Sequence, residues 1–381
     1  MRKADEDMSS CENRDNMTAG SPDVLKTLYI NPTKFCNLRC RHCWVSPPQK
    51  DVLDEGSDEI SAEQLEKVIS EAKKLGLTAI KLTGGEPLLR KDIGEIFRFC
   101  ADLDVKVSVE TNGTLITEKT AGLFRKYGVF FVSVSLDSHS EDLNDFFRGR
   151  KGAYKAALRG IRFLLEEGIP VQVIISLYRE NLRDFRLFLG LMREIGVNNV
   201  KINTISILGR GANLMRQGIL PGVEEILDFY KKMDLLRETF NGFLYLDIPI
   251  VFKSLEDIKN GLCGSCNIKN ILGIISDGSV SVCGIGYLEK DLLFGNVKDD
   301  PRAITRIWHE NETLKRIKED IPSKLEGVCG ICVFRHRCLG YCRAEVYYNT
   351  RDLLAPYWFC QEAYEKGLFP STRLIPEPLR T

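Results

Sequence analysis

Cys36-Asn37-Leu38-Arg39-Cys40-Arg41-His42-Cys43 places three cysteines at a CxxxCxxC spacing inside one short loop. Thiolates are soft ligands, and several that converge on one point suit zinc or an iron–sulfur cluster. A structural zinc and a ferredoxin-type cluster each take four protein ligands, so three cysteines leave one metal corner open. An open corner is where a ligand binds and chemistry starts. Two readings follow: a zinc knuckle that borrows a distant fourth ligand, with His42 a candidate, or a cluster with an exchangeable corner.

Working outward, Leu25 to Asn31 is a short apolar strand that feeds the loop directly. Pro47 to Ser57 reads as a loop, and Ser61-Ala62-Glu63-Gln64 has the form of a capping box opening a helix to about Leu75. Strands then alternate with helices: Ala79–Thr83, Val105–Glu110, Val129–Leu136, Val171–Leu177 and Val200–Ile205 are apolar strands. Ile93–Leu103, Glu118–Tyr127, Ala153–Glu166 and Leu182–Ile195 are the intervening amphipathic helices. Such alternation predicts an α/β fold with a parallel sheet covered by helices, either a partial (β/α)6 TIM-like barrel or a doubly wound sheet. Polar or small groups end nearly every strand: Gly84-Gly85-Glu86, Glu110-Thr111-Asn112-Gly113, Ser135-Leu136-Asp137 and Asn203-Thr204. A shared mouth built from many strand ends favours the barrel, because a doubly wound sheet gathers its site at one switch point.

The chain has 381 residues with equal numbers of basic and acidic side chains, 53 each, so no bulk basic field argues for nucleic acid. No apolar run is long enough to span a membrane, and Met1 to Asp23 lacks a signal-like apolar core. Thirteen cysteines in such a chain favour metal ligation over disulfides and a reducing cytoplasmic setting. The expected organisation is a disordered lead (1–24) carrying an incidental Cys11, the barrel (25–215), a linker helix and strand (216–255), a cysteine-rich domain (256–365) and an extended tail (366–381). Glu224 to Phe240 reads as one helix, and Phe243 to Phe252 as strand-like with a break at Pro249.

The cysteine loop, with Trp44 after it and Gly84-Gly85-Glu86-Pro87 one strand later, resembles the radical S-adenosylmethionine (SAM) enzymes. The resemblance implies that Cys36, Cys40 and Cys43 hold a [4Fe–4S] cluster whose fourth iron is chelated by SAM. It implies that Gly84 to Pro87 bind the SAM amino group, with Glu86 offering its carboxylate. Asn112, Ser135 and Asp137 stand where similar enzymes contact the SAM ribose or carboxylate, although capping and turn formation explain the same residues. Arg148 resembles a residue that grips the SAM carboxylate, and a solvated surface arginine is the alternative. His42 is expected to be a bystander on the loop surface. The chemistry implied is reductive cleavage of SAM to a 5′-deoxyadenosyl radical that takes a hydrogen atom from the substrate. No catalytic base or hydrogen donor is assigned.

The C-terminal part reads CX11GX4C from Cys266 through Gly278 to Cys283, then CX2CX5CX3C from Cys329 to Cys342, then Cys360. These intervals resemble the SPASM domain. Carried over, one auxiliary [4Fe–4S] cluster uses Cys263, Cys266, Cys283 and Cys342, and the other Cys329, Cys332, Cys338 and Cys360, making three clusters in all. Paired structural zinc ribbons are the alternative. Of the two thiols left over, Cys11 is incidental, and Cys100 falls on an apolar helix face and reads as a core residue. SPASM enzymes commonly modify peptides or proteins, so a peptide or protein substrate is the first expectation. Cofactor (tetrapyrrole) or small-molecule biosynthesis is the second, and a non-catalytic electron carrier or zinc scaffold the third. A flavodoxin- or ferredoxin-type electron donor is expected. Too few residues precede the first strand for a leader-binding winged helix, so a separate leader-peptide recognition protein is expected for a peptide substrate. In sulfatase-maturing relatives an aspartate follows the third SPASM cysteine; here Gly284 does, which argues against formylglycine formation unless Asp277 or another acid reaches in.

Overall fold

The computed structural model describes residues 23–51, 58–264 and 266–376. Cys11, nearly all of the expected lead, part of the 47–57 loop and the end of the tail lie outside the described residues. Seven strands run parallel and neighbour one another in chain order: β1 (Thr27–Ile30), β2 (Ala79–Leu82), β3 (Lys106–Thr111), β4 (Phe131–Ser135), β5 (Val171–Leu177), β6 (Asn199–Thr204) and β7 (Phe243–Asp247). A doubly wound sheet reverses its strand order, and from β1 to β7 this one does not, so the partial barrel is the architecture present. The strand at 243–247, expected in a linker, pairs with β6 as a seventh stave.

On the other side of β1 lies β8 (Ile271–Ile274), also parallel, followed by the antiparallel strands β9 (Ser279–Ser281) and β10 (Leu293–Asn296). The cysteine-rich region is thus bonded into the barrel sheet. Besides these strands it is built of helices, among them Ala303–Glu310, Glu312–Asp320, Arg343–Thr350 and Trp358–Glu365. Short amphipathic helices interrupted by cysteines carry too few turns for a clear helical period.

The strands were expected to be almost wholly apolar, and most are two-faced. Leu28, Ile30, Ile80, Leu82, Val107 and Val109 are buried against the helices, while Tyr29, Lys81 and Ser108 are half-buried on the opposite, inward face. The period of two creates this split. Among the named strands β5 and β8 are buried at every position. The helix Ala62–Lys74 begins at the expected capping box: the Ser61 hydroxyl accepts from the Gln64 amide at 3.1 Å, and Gln64 Oε1 accepts from the Ser61 amide at 2.9 Å. Two expected helices are broken, at Asp184 and at Lys232, and a helix at Glu141–Arg148 had not been anticipated. No helix among the described residues is long and apolar enough to cross a membrane.

Candidate functional site

The ends of β1 to β7 surround a cavity of about 430 Å³, in the size range of small-molecule sites. Cys36, Cys40 and Cys43 line it, together with Gly84, Gly85, Glu86, Asn112, Ser135 and Arg148. The cysteine loop is clamped from several directions. Arg39 and Arg41 donate their amides to the carbonyls of Arg148 (3.2 Å) and Phe147 (2.8 Å), and the Arg210 amide donates to the Cys43 carbonyl at 3.0 Å. Arg210 Nε reaches the Cys40 carbonyl at 2.8 Å.

Glycine is required beside this loop. A Cβ on Gly85 would lie 2.1 Å from the Phe35 carbonyl oxygen and 2.7 Å from that of Thr33, so only a bare backbone fits. Glu86 is buried and its carboxylate is fixed by three donors: the Thr111 hydroxyl (2.7 Å), the Asn112 amide (2.8 Å) and the Leu88 amide (3.1 Å). A carboxylate has about four lone-pair sites, so one remains for a donor in the cavity. Burial raises the Glu86 pKa against the lowering effect of these bonds.

The other expected residues divide. Asn112 lines the cavity, and its side-chain amide donates to Asn37 Oδ1 at 2.7 Å. Ser135 lines it also. Arg148 is not a solvated surface arginine: it is buried, with Nη1 3.8 Å from the Cys40 sulfur and Nε 2.8 Å from Asp137 Oδ2. Asp137 is wholly buried beneath the cavity rather than lining it, and accepts from the Ser176 amide at 2.9 Å. It positions Arg148. His42 is not on the loop surface; its ring stacks on Phe147 with centroids 4.8 Å apart, and burial pushes its pKa down to about 4. Gly284 packs on Tyr29, where an added Cβ would meet the Tyr29 Cβ at 3.0 Å and its ring at 3.1 Å. Asp277 is exposed in the β8–β9 turn and does not line this cavity.

The sequence model of the Radical SAM superfamily matches residues 30–209, and that of an iron–sulfur cluster-binding domain, SPASM, matches 252–333. An AdoMet-dependent heme synthase of Oleidesulfovibrio alaskensis is 30% identical over 90% of this chain and 88% of its own. The chain belongs to the radical SAM superfamily and carries a C-terminal SPASM region. An Fe-coproporphyrin III synthase of Methanosarcina barkeri is 29% identical over 87% of this chain and 86% of its own. Mycofactocin maturase MftC of Mycolicibacterium smegmatis is 26% identical over 91% and 85%. Streptococcus suis SuiB bound to S-adenosylmethionine shares the fold at a TM-score of 0.69 and 17% identity, over 89% of this chain and 78% of that one. SAM and [4Fe–4S] clusters are the cofactors of such an enzyme.

The donor set fits them. Burial, then the charge of Glu86, pushes the Cys36 thiol up to about 12, so three thiolates here call for a cationic core to replace their protons. Among the described residues no three His, Cys, Asp or Glu side chains stand close enough to share a single metal ion. Cys36, Cys40 and Cys43 all face one cavity, as ligands of a shared cluster must.

In the SPASM region Cys329, Cys332, Cys338 and Cys360 line one small cavity. The Cys342 thiol is raised by the neighbouring charges of Cys266 and Cys283, after burial and Glu345, so these three form a second group. Cys263 has other partners: its sulfur accepts from Arg337 Nη2 at 3.1 Å, and it packs with Ile250 and Ile258 in a cluster that Cys338 borders. Cys100 is fully buried in the core, as expected. Glu345 was missed by sequence reading. It is buried, lines the same cavity as the three cysteines from the SPASM side, and accepts from Trp358 Nε1 at 3.3 Å. Its place one turn after Cys342 was the available signal.

Proposed function

We propose that this radical SAM enzyme abstracts a hydrogen atom from a carboxylate-bearing side chain of a tetrapyrrole. The observation that carries the reading is likeness, over nearly the whole of both chains, to relatives named for heme and Fe-coproporphyrin III synthesis. Cys36, Cys40 and Cys43 would hold the cluster that takes SAM, and the two C-terminal groups would hold auxiliary clusters, three in all. When bound, cluster and SAM together supply an electron and a primary carbon radical that takes hydrogen.

The chain's own residues set the geometry for that step. Gly85 lets the backbone approach, Glu86 accepts from an ammonium, and Arg148 neutralises charge at Cys40 and beside the cavity. Trp44, Ile205 and Tyr357 wall the cavity and exclude water. A flavodoxin- or ferredoxin-type donor would deliver electrons. Anaerobic turnover with SAM, dithionite and iron coproporphyrin III tests the reading by mass spectrometry. The expected result is a changed tetrapyrrole mass in step with 5′-deoxyadenosine. Deoxyadenosine formation with an unchanged tetrapyrrole would turn the assignment to the peptide reading. That alternative is favoured by the likeness to the mycofactocin maturase, and with it a separate leader-recognition protein.

A further inference from the structure

The first cysteine loop has an inner and an outer side. Cys36, Cys40 and Cys43 line the cavity on the inner side. Arg39 and Arg41, the chain neighbours of Cys40, do not line it. Arg39 is exposed, and the Arg41 guanidinium lies over the ring of Phe146, 4.4 Å from its centroid. Phe146 is 61% exposed on the helix Glu141–Arg148. A single exposed ring carries no argument, but this one stands among cations that lack partners.

The end of that helix is welded to the loop. The amides of Arg39 and Arg41 are bonded to the carbonyls of Arg148 and Phe147. Gly149 has φ +69°, and a Cβ on it would lie 2.3 Å from the Arg39 carbonyl oxygen. Arg150 Nη1 donates to the Asn37 carbonyl at 2.9 Å and pairs with Asp51. Glu141 pairs with Lys155 at 3.0 Å. Arg39, Arg41 and the exposed Lys151 make no ion pair among the described residues. Asp142, exposed one turn before Phe146, offsets one of these three charges. The whole chain has no net charge, so the excess is local.

Reductive cleavage takes one electron per SAM, and that electron must come from outside and reach the inner side of this loop. The outer side belongs to the same short loop, so an electron delivered there has a short path. We propose that this outer face is the docking surface for an acidic one-electron carrier protein of flavodoxin or ferredoxin type. Phe146, backed by Arg41, is the anchor, and Arg39, Arg41 and Lys151 steer the carrier's carboxylates. Redox encounters use small interfaces, which one aromatic anchor ringed by charge suits. The carrier is oxidised by one electron for each SAM reduced to methionine and the deoxyadenosyl radical. This surface depends on radical SAM chemistry and not on the identity of the substrate.

The test gives reconstituted holoprotein and SAM either of two reductants, a reduced acidic flavodoxin or dithionite. Phe146→Glu/Lys151→Glu changes two residues outside the cysteine loop. With flavodoxin below saturation, it should lower 5′-deoxyadenosine formation at least about tenfold, and weaken flavodoxin binding, read by flavin fluorescence, by a like factor. Dithionite needs no docked partner, so its rate should not change. Lys151→Glu alone decides the matter if the pair slows both reductants. Val333→Glu is the opposing arm, because Val333 is 45% exposed beside Cys332 in the SPASM region. It should leave the flavodoxin-driven rate at the wild-type level. A loss there, with none at Phe146 and Lys151, would place electron entry at the C-terminal cysteines and overturn the docking surface. Wild type that cleaves SAM with dithionite but not with flavodoxin or ferredoxin would overturn the carrier as well.

Discussion

The first cysteine loop is clamped by backbone from distant parts of the chain, whereas Cys338 and Cys342 sit in turns made by the residues beside them. Backbone from 147–148 and 210 fixes Cys40 to Cys43, and Lys50 donates to the Cys36 carbonyl at 2.9 Å. Around Cys338 and Cys342 the chain turns through left-handed residues, Leu339 and Tyr341. Arg343, fully buried, donates to the carbonyls of Leu353 (3.0 Å) and Ala355 (2.8 Å). A site with an open corner must present its empty side to a cavity that other elements build. A closed set needs only local turns. The first site should therefore be sensitive to distant changes and the second to nearby ones.

The largest test of that contrast is removal of one ligand set. Cys36→Ala/Cys40→Ala/Cys43→Ala should abolish 5′-deoxyadenosine formation. Iron should fall by about four of the roughly twelve expected for three cubanes, as measured by iron and sulfide assay. Cys342→Ala should also lose about four irons yet still cleave SAM. Cleavage surviving in the first variant would mean that the loop is not where SAM binds.

Next in size is a distant residue of the first site. Glu86→Ala should retain iron but weaken SAM binding by about ten- to a hundredfold, the scale of a hydrogen bond to a charged group. Equilibrium binding to the reconstituted, unreduced protein measures it. An unchanged affinity would show that the remaining lone pair of Glu86 meets no ammonium.

How much of this was legible beforehand follows the same division. Strand ends carry function in a barrel, so Glu86, Asn112 and Ser135 were readable from strand boundaries alone. Asp137 sits at a strand end too, and its role under Arg148 was hidden, because sequence gives the end of a strand but not which way a buried carboxylate turns. The inward lysines, Lys81 and Lys201, were masked within segments that read as apolar. Two of their partners, Glu110 and Asp247, lie on other strands, a pairing that no local pattern reports. In the SPASM region the resemblance implied the grouping as well as the thiols: Cys329, Cys332, Cys338 and Cys360 line one cavity, and Cys342 lies with Cys266 and Cys283.

A smaller effect concerns backbone clearance. Gly85→Ala would place a Cβ against the Phe35 and Thr33 carbonyls, neither of which belongs to a flexible side chain. Overpacking of this kind costs about 1–3 kcal/mol. Chemical denaturation should show that loss, and no loss would mean that the 33–35 turn yields freely.

The smallest effect is expected where the sequence and the structure diverge most. Spacing makes Cys263 a ligand beside Cys266, only three residues away. Cys266 and Cys283 lie among the charges that raise Cys342, whereas the charges beside the buried Cys263 are those of Arg337, Lys253 and Asp257. Cys263→Ser keeps an acceptor for Arg337 and the same small volume beside Ile250 and Ile258. Iron content should then stay at the wild-type level, while Cys266→Ser loses about four irons. If both variants lose the same iron, Cys263 swings onto the cluster when it forms, and the C-terminal set depends on rearrangement in a way that the clamped first loop does not.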